Sequence, residues 1–213
     1  LTPILMQMAR RQDAATLLRE VRRRIPDDTR ALLALAVCLR ADGGLEEALQ
    51  IAEEATKRLP HDAAAWMLRG SIEVRAGRYA RAETALRRAL SLAPGFGEAW
   101  HYLGESLHQQ QRWKDAMEAY RRAAIEQPGE IYNIAMCAEQ AGDLELARSS
   151  YRQASSIFPD RADVLLRLAQ TEARLCEFSA EQATLGKFSH VVAHGLPARQ
   201  LLEAFPLTYL PLE

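Results

Sequence analysis

His101, Glu105 and His108 stand at i, i+4 and i+7, so a helix would carry two imidazoles and a carboxylate along one face. Zinc accepts such ligands at such spacing, but no fourth ligand and no outer partner accompanies them. A solvated polar face is the reading adopted, and neither metal nor other cofactor is expected. His190 and His194 form an i, i+4 pair near the end of a helical stretch, where the negative end of the helix dipole favours a cation. Arg22, Arg23 and Arg24 have the same explanation, since Pro26 closes their helix and Asp27 and Asp28 follow. With 27 basic against 28 acidic residues the chain has no charge excess to recommend it to nucleic acid.

Cys38 and Cys137 fall in one phase beside the packed positions described below and read as small buried hydrophobes, whereas Cys176 stands at a turn as the more exposed thiol. Three cysteines are too few, and odd in number, for a disulfide-stapled secreted fold, so a cytoplasmic protein is expected. None of the phosphate-loop, dinucleotide-fold, nucleophile-elbow or zinc-protease signatures occurs, and the chain is read as non-catalytic. No apolar run approaches the length of about eighteen residues that a membrane span needs.

The elements that carry these residues follow from a period. Pro26, Pro60, Pro94 and Pro128 are each 34 residues apart, and Pro159 follows after 31. Small residues keep step with them: Ala48, Ala82, Ala116 and Ala147; Ala55, Ala89, Ala123 and Ala154; Ala36, Gly70, Gly104 and Ala135; Gly43, Gly77 and Gly142. Each unit reads as two helices. In the unit 63–96 the first carries Trp66, Gly70 and Val74 on one stripe and ends at Gly77; the second runs from about Tyr79 to Leu92 and stops at Pro94. Small side chains belong where helix axes cross at about 8–10 Å, and 37 alanines supply most of them. Larger residues (Leu45, Tyr79, Trp113, Leu144) fill the neighbouring gaps.

With these columns in view, the sequence resembles the tetratricopeptide repeat, whose signature is W-x2-L-G-x2-Y with small and aromatic positions and a closing proline. WHYLGESL, from Trp100, matches its first half but sets Leu107 at the tyrosine; WMLRGSIE keeps Trp66 and Gly70 but sets Arg69 at the leucine. AMEAYRRAAIEQP and ARSSYRQASSIFP match the second-helix pattern. The resemblance implies an all-α, right-handed superhelical solenoid of antiparallel helix pairs. Its expected divisions are a truncated first repeat at 1–28, repeats at 29–62, 63–96, 97–128 and 129–161, a degenerate repeat at 162–178, and a non-repeat helical segment at 179–213. The chain would thus begin mid-repeat, with part of a first helix followed by a second helix from Gln12 to about Arg24, and Leu212 and Glu213 would be a tag remnant.

In this family the first helix of each unit lines a concave binding surface. Carried over by position, that face holds Leu33, Val37 and Arg40; Met67, Ser71 and Arg75; His101, Glu105 and His108; Tyr132, Asn133, Met136 and Gln140; and Leu166, Arg167 and Gln170. A mixture of polar, aromatic and methionine side chains suits an extended peptide or a helix of a partner protein. On this reading Arg75→Glu and Tyr132→Ala would weaken binding and spare stability. The lysine and asparagine clamp that some members use for C-terminal carboxylates is not matched, because Leu33, Val37, Ala64 and Leu68 occupy its places.

A second resemblance concerns the end of the chain. Cys176, Glu177, Phe178, Gly195, Pro197, Phe205 and Pro206 resemble the linker after the repeats in bacterial O-GlcNAc-transferase-like (SPINDLY-type) proteins. It implies the substrate-recognition arm of a longer glycosyltransferase as the alternative to a free-standing scaffold; the asparagine ladder of such arms is reduced here to Asn133, with Ala34, Leu68, Tyr102 and Arg167 in the other places. The apolar tail around Leu201, Phe205 and Tyr209 is expected to fold back on Leu185, Phe188 and Val192, leaving surface for a downstream domain or for a second copy in a homodimer. Neither a nucleic-acid nor a membrane partner is expected.

Overall fold

A computed structural model describes residues 2–195 of the chain; the expected fold-back of the apolar tail lies outside them, as do Leu212 and Glu213. Every regular element among the described residues is helical, in two compact units, Leu1–Gln127 and Pro128–Glu213.

The first unit contains α1 (Thr2–Arg24), α2 (Thr29–Asp42), α3 (Leu45–Arg58), α4 (Ala63–Arg75), α5 (Tyr79–Leu92), α6 (Gly97–Gln109) and α7 (Trp113–Ala123). Aspartates open two of these helices: Asp28 accepts from the backbone N–H groups of Arg30 and Ala31, and Asp62 from that of Ala64. Those are orphan donors of a first turn, which a short carboxylate satisfies. The expected break before Gln12 is absent: α1 runs as one helix from Thr2 to Arg24, and Pro3 lies in its first turn, where a missing N–H costs nothing.

Consecutive helices pair through the small-residue columns. Ala36, Ala48, Ala55, Ala82 and Ala89 have no exposed surface. A Cβ added at Gly70 would lie 2.5 Å from Leu86 Cγ, and one at Gly104 2.7 Å from the Tyr120 ring, so helix crossings in this unit have room for hydrogen alone at those points. Trp66 and Trp100, in the same place of successive repeats, donate their indole N–H to the carbonyls of Pro60 and Pro94 and so tie each first helix to the turn before it.

The second unit opens with a 3-10 turn, Pro128–Glu130, in place of the three residues missing from that repeat. It continues through α8 (Ile131–Gln140), α9 (Leu144–Ile157), α10 (Ala162–Arg174) and α11 (Phe178–Gly195). Cys137, Ala147, Tyr151, Ala154 and Val164 are fully buried between them. α11 packs on α10 with Thr184, Phe188 and Val192, an i, i+4, i+8 stripe. Phe188 and Val192 therefore spend their apolar area on Leu165 of α10.

Candidate functional site

Helix α4 touches both α2 and α6 in the first unit, so three first helices lie side by side. Arg40, in the last turn of α2, ties them together: its Nη1 donates to Ser71 Oγ of α4 at 2.7 Å and to Tyr102 Oη of α6 at 3.3 Å. Ser71 is fully buried and donates its own hydrogen to the Leu68 carbonyl at 2.8 Å, which leaves its lone pairs turned to the arginine. Its hydroxyl is thus a support for Arg40 and offers no surface of its own. One turn before Arg40, Val37 is 43% exposed. Leu33 and Met67 are half-buried, and Arg75 is exposed one turn beyond Ser71. Neither Arg40 nor Arg75 has a carboxylate within ion-pair distance among the described residues.

The His101, Glu105 and His108 trio divides. His101 Nε2 is 4.0 Å from Glu105 Oε2, and its ring stands edge-on to Tyr102 at 5.2 Å. His108 packs edge-on against Trp113 of α7 at 5.0 Å, with Nε2 buried and unpartnered. Burial holds its pKa below the usual imidazole range, so it serves the α6–α7 contact as a neutral ring. Among the described residues no three histidines, cysteines, aspartates or glutamates come together to hold a metal.

In the second unit the corresponding side chains are engaged with one another. The Arg161 guanidinium lies 4.7 Å from the centre of the Tyr132 ring and is held there by Asp163, while Tyr132 also meets Tyr151 at 5.9 Å. Burial pushes the Tyr132 hydroxyl above its ordinary pKa. Arg167 and Arg174 both reach Glu139, at 3.2 Å and 3.4 Å, and Tyr151 donates to the same carboxylate at 2.8 Å. Asn133 donates to Glu130 at 2.8 Å, and Leu166 packs on the α10–α11 cluster. Met136 and Gln170 are half-buried and Gln140 is exposed.

Sequence reasoning missed three residues that matter here: Tyr102, Glu139 and Arg161. Tyr102 was visible as the polar member of the column Ala34, Leu68, Tyr102, immediately beside the face assigned to His101. Arg161 precedes its helix, and the only signal for it was an R-x-D spacing to Asp163 across the helix start.

Comparison with known proteins bears on the fold. Three profiles described as tetratricopeptide repeat match residues 5–72, 67–131 and 131–161. Superkiller protein 3 of Schizosaccharomyces pombe is 29% identical over 111 residues, which is 51% of this chain and only 8% of that protein's length. Among solved structures, MamA of Desulfovibrio magneticus RS-1 aligns with a TM-score of 0.70 at 20% identity, covering 87% of this chain and 98% of that one. YrrB, described as a TPR protein with an unusual peptide-binding site, aligns with a TM-score of 0.70 at 21% identity, covering 88% of this chain and all of that one. At such identities the likeness speaks for the fold alone.

Proposed function

Because its residues 5–161 place this chain in the tetratricopeptide-repeat family, we propose that it is a non-catalytic scaffold whose α2–α4–α6 face receives an extended peptide or a helix of a partner protein. The observation that carries this reading is the contrast between the two units. On α2, α4 and α6 exposed Val37 sits beside arginines that have no acid of their own among the described residues, whereas on α8 and α10 the charged side chains satisfy one another. A face with unspent hydrogen-bonding capacity beside apolar surface is what peptide grooves present. That YrrB is described as having a peptide-binding site is consistent with such a use.

The three cysteines, all free thiols, suit the reducing cytoplasm proposed for it. Among the described residues no helix is long and apolar enough to cross a membrane. The glycosyltransferase-arm alternative rests on the resemblance near Cys176–Pro206, much of it outside the described residues, and no observed geometry favours it over the scaffold.

The test is to select peptides on the folded chain from a random dodecapeptide library and map them by amide hydrogen exchange. Protection should concentrate in α2, α4 and α6, and Val37→Asp should weaken binding without lowering the melting temperature. Protection confined to α3, α5 and α7, or to the second unit, would overturn the assignment.

A further inference from the structure

Arg40 is unusual in its unit for being half-buried without a carboxylate partner; Arg10, Arg30, Arg75, Arg81 and Arg88 also lack one among the described residues but are exposed. Arg19, Arg22, Arg58, Arg69, Arg78, Arg87 and Arg112 each lie within 4.0 Å of a carboxylate. Arg40 is half-buried and has none among the described residues; its partners are two hydroxyl oxygens. Withdrawing a guanidinium from water without an anion is unfavourable, and hydroxyl acceptors offset this only in part. The fold nevertheless fixes its orientation from two neighbouring helices. Both hydrogens of Nη1 are committed, one to Ser71 and one to Tyr102. What remains is the edge formed by Nε and Nη2, whose parallel N–H groups match the two oxygens of a carboxylate.

Resting on the groove reading above, we propose that Arg40 is the specificity-determining residue of that groove, and that it receives an aspartate or glutamate side chain of the partner peptide. The face is mixed in charge, with Arg75 on α4 and Glu105 on α6, whose carboxylate lies 4.0 Å from His101 Nε2, and it is apolar in part. Arg75 adds a second unpaired cation on α4, and Val37 and Met67 offer apolar surface to a neighbouring peptide side chain. Ser71 and Tyr102 are positioning residues: they hold the guanidinium and leave its free edge open. A peptide that binds here carries its acid beside an apolar residue, and the acid is internal to the sequence.

The experiment uses C-terminally amidated synthetic versions of the selected dodecapeptides, so that a chain-end carboxylate contributes nothing. Replacing the peptide's acid by its amide (Glu to Gln) should lower affinity by about ten- to hundredfold, the value of a charge-assisted pair over a neutral one. Arg40→Gln should lower it equally and make the acid and amide peptides indistinguishable, while Arg40→Lys, which keeps charge but not the fork, restores part of the difference. Circular dichroism melts of each variant control for folding.

Three outcomes would overturn the proposal. Selected peptides that lack an acid and bind Arg40→Gln as they bind the parent would remove the arginine and leave the groove intact. Equal weakening of acid and amide peptides by Arg40→Gln would make the residue structural. Binding only of peptides with a free terminal carboxylate would replace the side-chain partner by a chain end. Peptides mapping to another face would fail the groove reading itself, which the exchange data report separately.

Discussion

Replacing Glu73 by glutamine should make the protein more stable at neutral pH and flatten its pH dependence. Glu73 lies on α4 with no exposed surface, and neither carboxylate oxygen has a hydrogen-bond donor. It takes the tyrosine place of the repeat signature, three residues after Gly70, while Arg69 takes the leucine place one turn before it. Arg69 is committed elsewhere: its Nη2 is 3.5 Å from Glu53 and its guanidinium lies 5.7 Å from the Trp66 ring. Desolvation raises the Glu73 pKa above 4.5, against the opposing pull of Arg69, Arg81 and Arg78 and with a smaller push from Glu53. The native state therefore holds this proton more tightly than the unfolded chain does. Its contribution is complete below pH 4.5 and is lost as pH rises through the native pKa, and each pH unit separating the native from the unfolded pKa is worth about 1.4 kcal/mol. Glutamine keeps the shape and removes the titration. The glutamine amide is as buried and as short of partners as the carboxyl it replaces, so the gain at pH 7 is the ionisation cost alone, about 1.4 kcal/mol for each pH unit by which the native pKa exceeds the unfolded one, shrinking towards zero near pH 4. In a chain of this length that is about 2–4 °C of melting temperature per kcal/mol, measurable by circular dichroism from pH 4 to 8. Parallel pH profiles for the two proteins, or a less stable Glu73→Gln at pH 7, would refute the argument.

Gly104→Ala should destabilise by about 1–3 kcal/mol in urea unfolding, because its methyl meets the Tyr120 ring at 2.7 Å. Gly77→Ala, whose methyl meets nothing within 4 Å, should lose only the cost of φ +71°, about 1 kcal/mol. Tyr132→Ala should cost at least about 2 kcal/mol through lost packing with Arg161 and Tyr151, while Arg75→Glu stays within about 0.5 kcal/mol; equal melting temperatures would sink the distinction. Iodoacetamide at pH 8 should label exposed Cys176 in the native protein and reach Cys137 only on unfolding, since burial pushes that thiol up to about 12; native labelling of Cys137 would contradict its burial.

The fold was legible because it repeats. Prolines and small residues in register announce helix ends and crossings in every unit, and α4 and α5 begin and end where Ala63, Gly77, Tyr79 and Pro94 say they should. The open face was less so. Residues were assigned to it by position alone, and position cannot tell Arg40, whose cation lacks an acid, from Arg167, which has Glu139. Ser71 shares a helical stripe with exposed Arg75 and is nevertheless buried, because Arg40 of the preceding repeat lies across it. Such a contact joins residues 31 apart and depends on how far a long side chain reaches, which no periodicity records. Tyr132 shows the converse: an aromatic at a groove position held by a cation that precedes the next first helix.

At the link between the two helices of a repeat, Gly43, Gly77 and Gly142 take positive φ, as glycine does without strain. Gln111 and Cys176 stand in the same column and adopt the same left-handed conformation, at φ 60° and 58°. A side chain there costs on the order of 1 kcal/mol, so two of the hairpins are wound against a local preference that their packed helices override. The hairpin's chirality is therefore inherited from its helices rather than dictated by its turn residue. This column can drift in composition without reversing the hand of the repeat, and a search for such hairpins by their glycines would pass over two of the five among the described residues.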